Sequence, residues 1–242
     1  MLSQSGCTRR VPSNGNDAAH NLYWSCDEAL PPVFKASADW RLTSTVPNLT
    51  PAIVERVVFT HKSGKWELTA DAYRGTAIRE CLTDFFAALA SDDPNLPLVA
   101  YIGHDGLMDF PLPAAATAKP GPGREAIVLC CKSAEYFAPH LAAVHGKPAL
   151  LTTQLMYPDG FLLRAALDGW RRQRGFRGKS RRSRNVSLFQ EMSAGGHPHW
   201  KSAAQIARLR SWKTTHSALV TSNDMAIKRL AKLYDRMVEI GW

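Results

Sequence analysis

The chain has no uninterrupted apolar run of about eighteen residues, so it contains no segment suited to crossing a membrane as a helix. Its opening, "MLSQSGCTRRVPSNGNDAA", lacks the apolar middle of a secretory leader. Together these absences make a cytoplasmic protein with no membrane partner the expectation. Paired cysteines are also missing. The five present, Cys7, Cys26, Cys81, Cys130 and Cys131, form no CxxC pair and suggest no disulfide framework, which suits a reducing compartment. Acidic residues are absent from one stretch, 171–184 ("RRQRGFRGKSRRSR"), which holds eight basic ones. The net charge of +9 belongs to that tract, because outside it 22 basic residues face 21 acidic ones. The body of the protein is therefore close to neutral.

What is present reads as one full-sized domain, since 242 residues with 45% hydrophobic content can build a single core. Residues 1–20 are polar and turn-rich and are expected to be disordered. "AIVERVVFTHKSGKWELTADAY" reads as two strands joined by a turn containing Ser63 and Gly64. In "GTAIRECLTDFFAALA", Ile78, Leu82, Phe85, Phe86 and Leu89 recur at helical spacing on one face. Two apolar runs, "LPLVAYIG" and "AIVLC", have strand length, and "PLPAAATAKPGPG" between them is too rich in proline and glycine for a helix. It is still long enough to return the chain for parallel pairing, which takes about a dozen residues. "SAEYFAPHLAAVH" predicts a helix disturbed by Pro139, "KPALLTT" a short strand and "DGFLLRAALDGW" another helix. The pattern predicts an α/β fold, a mostly parallel sheet with helices on both faces, over 21–170. A basic, disordered linker over 171–199 should follow, then a C-terminal helical segment over 200–242 made of "WKSAAQIARLRSW" and "SNDMAIKRLAKLYDRMVEIGW".

Each of the two central runs ends at a reactive side chain, His104 in "YIGHDG" and Cys131 in "IVLCCKS". In an open α/β sheet the carboxyl ends of parallel strands share one edge, where sites form. An imidazole meeting a thiol there can carry its proton or favour the thiolate, the form that acts as nucleophile. The plainer reading makes Cys131 a small buried hydrophobe and His104 a turn residue.

An apolar strand ending in a His-Gly element, followed by one ending in a small residue and cysteine, resembles the clan CD cysteine peptidases. That group includes the caspases, gingipains, separase and CHAT domains. "AYIGHDG" is similar to their "GHG" element and "IVLCCKS" to their "L-x-A-C" strand end, and the similarity spans about residues 53–170. The resemblance implies a caspase-like fold and a peptide or protein substrate. It makes Cys131 the nucleophile and His104 the proton carrier, with no metal or organic cofactor. Backbone amides near the His turn and at the nucleophile would bind the oxyanion. Two departures stand out. Asp105 occupies the family glycine position, which leaves the turn's oxyanion donor open between the Asp105 amide and Gly106. Cys130 replaces the small residue, which makes it a substitute nucleophile.

Other features carry weaker signals. Tract 171–184 is suited to contacting phosphates, but its one aromatic, Phe176, gives little for base stacking, so a solvated loop is the expectation. His197 and His199 form an HxH pair with no cysteine or carboxylate nearby at ligand spacing, and no metal site is expected. His61 reads as a satisfied strand histidine. Asp109, Glu135 and Asp159 lie near presumed strand ends, where a carboxylate suits a basic substrate side chain, but sequence does not rank them. The expected function is a caspase-like thiol hydrolase or an inactive relative of that fold. The alternative is a non-catalytic binding module whose basic arm contacts nucleic acid or another acidic partner.

Overall fold

The computed structural model describes residues 14–21, 23–113, 121–156, 159–175 and 204–211. Among them, seven strands form one sheet in the order β1-β2-β3-β7-β4-β5-β6. The strands are β1 (Trp40–Pro47), β2 (Ile53–His61), β3 (Trp66–Tyr73), β4 (Leu98–Gly103), β5 (Glu125–Leu129), β6 (Lys147–Leu151) and β7 (Ala204–Ser211). The helices are α1 (Leu30–Lys35), α2 (Ile78–Ala90), α3 (Ser133–Tyr136), α4 (Ala138–Ala143) and α5 (Gly160–Gly175).

Helices cover both faces of this sheet. On one, Leu30 and Phe34 of α1 and Leu163, Leu167 and Trp170 of α5 pack on alternate residues such as Phe59, Leu68, Ala100 and Ile102. On the other, Cys81, Leu82, Phe85, Phe86 and Leu89 of α2 join Phe137 and Leu141 against Val99, Tyr101, Val128 and Ile206. The helical spacing of the α2 residues and the continuous apolar run of β4 thus have one cause. A central strand is buried on both faces, and all six residues of β4 are buried. Pro139 acts as expected, in that the segment after β5 breaks into α3 and α4, with the proline in the first turn of α4.

The sheet is mixed, and the mostly parallel arrangement expected from sequence is corrected. Only β4–β5 and β5–β6 are parallel, whereas β1–β2, β2–β3, β3–β7 and β7–β4 are antiparallel. Two of these four antiparallel pairings are made by β7. Residues 204–211, expected to be helical, form a strand that inserts between β3 and β4. Gln205, Ile206, Ala207 and Leu209 are all buried, so apolar residues on both faces of a strand imitate helical periodicity. Residues 204–211 are therefore part of the same sheet. Residues 212–242, with the second expected helix, lie outside the described residues.

Two boundaries also move. Residues 14–20, expected to be disordered, pack on the start of α2, with the Gly75 N–H donating to Gly15 O at 2.9 Å and Arg74 Nη1 to Asn16 O at 2.6 Å. Residues 171–175, placed in a linker by sequence, are the last turn of α5. Arg171 is docked there. It donates to Asp168 Oδ1 at 2.6 Å, meets His61 Nε2 at 2.9 Å and lies over the Trp40 ring. His61 is buried and satisfied, as expected, with burial and the neighbouring Arg171 charge lowering its pKa. Residues 176–203, which include most of the basic tract, Phe176, His197 and His199, lie outside the described residues. No described helix is long and apolar enough to cross a membrane. Cys26 is disulfide-bonded, contrary to the expectation of free thiols throughout, whereas Cys81, Cys130 and Cys131 are free.

Candidate active site

The two strands that end in His104 and Cys131 are hydrogen-bonded neighbours running parallel. Their register pairs Leu98 with Glu125 and continues to Ile102 opposite Leu129. His104 stands two residues beyond Ile102, and Cys131 two residues beyond Leu129. The strand ends that lead to His104 and Cys131 therefore open on the same edge of the sheet, from strands about 4.8 Å apart.

The turn after β4 is tightly made. Gly103 has φ +146°, a conformation that favours glycine and redirects the chain out of the strand. The Tyr101 hydroxyl, from inside the core, donates to His104 O at 2.5 Å. Asp105 then caps a short 3-10 turn, Gly106–Met108, its Oδ1 accepting the Leu107 N–H at 3.0 Å. Asp105 has φ −80°, an ordinary conformation for a residue with a side chain. The turn brings Asp109 back onto His104, with Nε2 of the ring 2.6 Å from Asp109 Oδ2. His104 is partly exposed, at 29% of its side-chain surface.

Cys131 sits on an equally defined bend. Lys132 follows it in the left-handed region, φ 48° and ψ 34°, and α3 begins at once. For a residue other than glycine this conformation costs on the order of 1 kcal/mol, and it persists only where neighbours hold it. The neighbours are from the loop after β6. Lys132 N–H donates to Gln154 O and Ala134 N–H to Thr152 O, each at 2.9 Å, while Thr152 Oγ1 donates to Cys130 O. Ser133 Oγ closes the knot by donating to Val128 O at 2.9 Å. The Cys131 thiol is half-buried and meets one backbone unit of the same loop, since Met156 O and the Met156 N–H each lie 3.5 Å from Sγ.

Of the residues singled out by sequence, His104, Asp105, Gly106, Cys130 and Cys131 all gather at this edge. Their environments separate their roles. Cys130 is fully buried, and desolvation followed by the adjacent Asp105 charge pushes its thiol pKa up, so Cys130 is not placed to attack a substrate. It lies against the Asp105 carboxyl. Asp105 is itself fully buried, and burial pushes its carboxyl up to about 6. The Gly106 N–H is turned to the Tyr101 hydroxyl. Outside the helices and strands, no backbone–backbone hydrogen bond among the described residues uses the N–H of Asp105 or of Cys131.

The remaining carboxylates part company. Asp109 belongs to the His104 turn. Glu135 is an exposed side chain 3.9 Å from Lys132 Nζ. Asp159 is at the start of α5, where burial and the nearby Glu28 raise its carboxyl to about 8. Sequence reasoning left Asp109 unranked and missed Tyr101, Lys132 and Met156. A tight turn capped by Asp105 returns the chain within about five residues, and that spacing was the available signal for Asp109.

An open cleft lies beside the turn that follows His104. One wall is the His104 turn, Leu107 to Pro111, and the other is Tyr136 and His140 from the helices that follow Cys131. Met108 on the first wall is 41% exposed, and Leu155, one residue before Met156, is 48% exposed. Apolar surface thus flanks the site on both sides. Among the described residues no cluster of His, Cys, Asp and Glu is arranged to hold a metal ion. The chain matches no protein-family model, and comparison with curated proteins and with solved structures also gives no match.

Proposed function

We propose that the protein is a caspase-like thiol hydrolase acting on peptide or protein substrates through Cys131 and His104. One observation supports this reading, namely that β4 and β5, the strands leading to His104 and Cys131, are parallel neighbours in register. The bend at Lys132, the half-exposure of Cys131 and the adjacent cleft support it.

The chemistry follows from the geometry. Cys131 loses its proton to the imidazole and its sulfur attacks the scissile carbonyl carbon, forming a C–S bond. The negative charge moved onto the carbonyl oxygen is met by the N–H groups of Asp105 and Cys131. When the intermediate collapses, the C–N bond breaks and the imidazolium gives its proton to the departing amine. Water then adds to the thioester, with His104 taking its proton, and the acid product leaves as the proton returns to sulfur. Before the first step Sγ leaves its contacts with the Met156 peptide.

Limited alkylation tests the pair directly. At pH 7, iodoacetamide labels Cys131 ahead of the buried Cys81 and Cys130, and His104→Ala slows that labelling while leaving the fold intact by circular dichroism. Blocked fluorogenic peptides of mixed sequence are cleaved by the parent and not by Cys131→Ala. Equal labelling rates in the parent and the His104→Ala variant, with no peptide cleaved, would discard the dyad.

A further inference from the structure

The geometry points to Asp109 as the positioning residue of His104, making the site a Cys–His–Asp arrangement in which Nδ1 of the imidazole is the working nitrogen. The contact is direct, at 2.6 Å from His104 Nε2 to Asp109 Oδ2. A carboxylate only accepts, so Nε2 carries the hydrogen and the neutral ring keeps its lone pair on Nδ1. One ring nitrogen is thereby committed to Asp109 and the other is left for the thiol and the substrate amine. When the ring takes up the Cys131 proton at Nδ1, the carboxylate stands against the new positive charge.

The placement of Asp109 is built in by its surroundings. Its own N–H donates to Gly106 O at 3.1 Å, as does that of Phe110, and the Met108 N–H donates to Asp105 O at 3.2 Å. Beyond it, Phe110 lies under Arg79, whose guanidinium carbon is 4.0 Å from the ring centroid, and Arg79 Nη1 donates to Pro111 O at 2.9 Å. The turn is thus tied to the core at Tyr101 and to α2 at Arg79, with His104 and Asp109 between the two ties. Asp109 also borders the cleft, which raises a competing role, capture of a cationic substrate side chain. The bond to His104 favours positioning, because it already occupies one carboxylate oxygen with a fixed donor.

The kinetic part of this inference rests on the thiol-hydrolase reading, and the spectroscopic part does not. In uniformly 15N-labelled protein at pH 8, the parent shows His104 with a protonated-type Nε2 and an unprotonated-type Nδ1, the resonance being assigned by its loss in His104→Gln. Asp109→Ala yields averaged nitrogen shifts of mixed tautomers, and Asp109→Glu restores the parent pattern. In peptide cleavage, Asp109→Ala lowers kcat by roughly 100-fold, with KM unchanged and the loss equal for neutral and basic peptides. That is less than the ~10⁴-fold cost of removing a buried triad carboxylate, because Asp109 is 59% exposed and water stands in for part of it. Nitrogen shifts identical in the parent and Asp109→Ala would overturn the inference. So would a rise in KM confined to basic peptides. A parent that cleaves no peptide but shows the tautomer change refutes the hydrolase reading alone and leaves Asp109 as the residue that orients His104.

Discussion

Asp105 and Asp159 are both carboxyl groups that burial drives toward the neutral form, one in the turn after β4 and one at the start of α5. The effect is larger at Asp159, where the neighbouring Glu28 charge adds to desolvation and the pKa reaches about 8. One of its oxygens, Oδ1, is buried with no hydrogen-bond partner, which accords with the raised value. The native state therefore binds the Asp159 proton more tightly than the unfolded chain does. By linkage, stability from this group is fully present below about pH 4 and is lost as pH rises through about 8. Asp159→Asn cannot ionise, so it should gain on the parent as pH rises. Urea midpoints of the two proteins at pH 5 and pH 8.5 measure this, with the variant expected to gain clearly at the higher pH. A difference between the two that does not change with pH would refute the burial argument for Asp159. Cys130 illustrates the same physics at the site. Its thiol pKa is raised by desolvation and then by the adjacent Asp105 charge.

Helix α5 carries two glycines whose surroundings are opposite. Gly160 begins the helix where it crosses α1, and its N–H donates to Glu28 O at 2.7 Å. A Cβ there would lie 2.6 Å from Ala29 O and 2.7 Å from the Leu30 Cα, both of them backbone atoms that no rotamer change can move. Gly160→Ala should cost about 1–3 kcal/mol, the usual range for forcing a methyl into a packed contact. Gly169 has nothing within 4 Å of the same construction, so Gly169→Ala should stabilise the helix by up to about 1 kcal/mol. Chemical denaturation of the two variants reads opposite signs, and a stabilising Gly160→Ala would show that α1 and α5 approach less closely than described. The last turn of α5 is held by Arg171 against Asp168, His61 and Trp40. The start of the basic tract is thus used by the fold. The arm reading is left with the residues after 175.

Strand β7 joins the antiparallel part of the molecule, β1 to β3, to the parallel part, β4 to β6. Its connection includes a buried charge. Asp71 of β3 is fully inaccessible and accepts from Arg56 of β2 at 2.5 and 2.8 Å, and from Arg208 of β7 at 2.6 Å. One carboxylate thereby ties three adjacent strands. Removing it leaves two guanidiniums facing each other, and breaking such a buried arrangement costs about 3–5 kcal/mol. Arg56 and Arg208 keep 33% and 18% of their side-chain surface in contact with solvent, which places the expected loss for Asp71→Ala at the lower end. Denaturant midpoints measure the loss, and a change under about 1 kcal/mol would show that the ion pairs do not hold β7 in place.

From sequence alone, the local elements and their chemistry were readable. Helix α2 announces itself by spacing, β2 and β3 by their turn, and β4 and β5 by apolar runs ending at His104 and Cys131. The loop between those two runs is long enough for parallel pairing, and the tertiary structure decided that β4 and β5 are parallel neighbours. Long-range pairing decided the rest. Nothing near residues 204–211 states that they lie between β3 and β4, and a strand buried on both faces loses the alternation that would identify it. That insertion alone makes the sheet mixed at its centre. Tertiary packing likewise chose Cys131 over Cys130 by burying one thiol and leaving the other half-exposed, a difference that adjacent identical residues cannot encode locally. It also selected Asp109 from three carboxylates near strand ends, since the distance from a side chain to an imidazole is set by how the turn folds back.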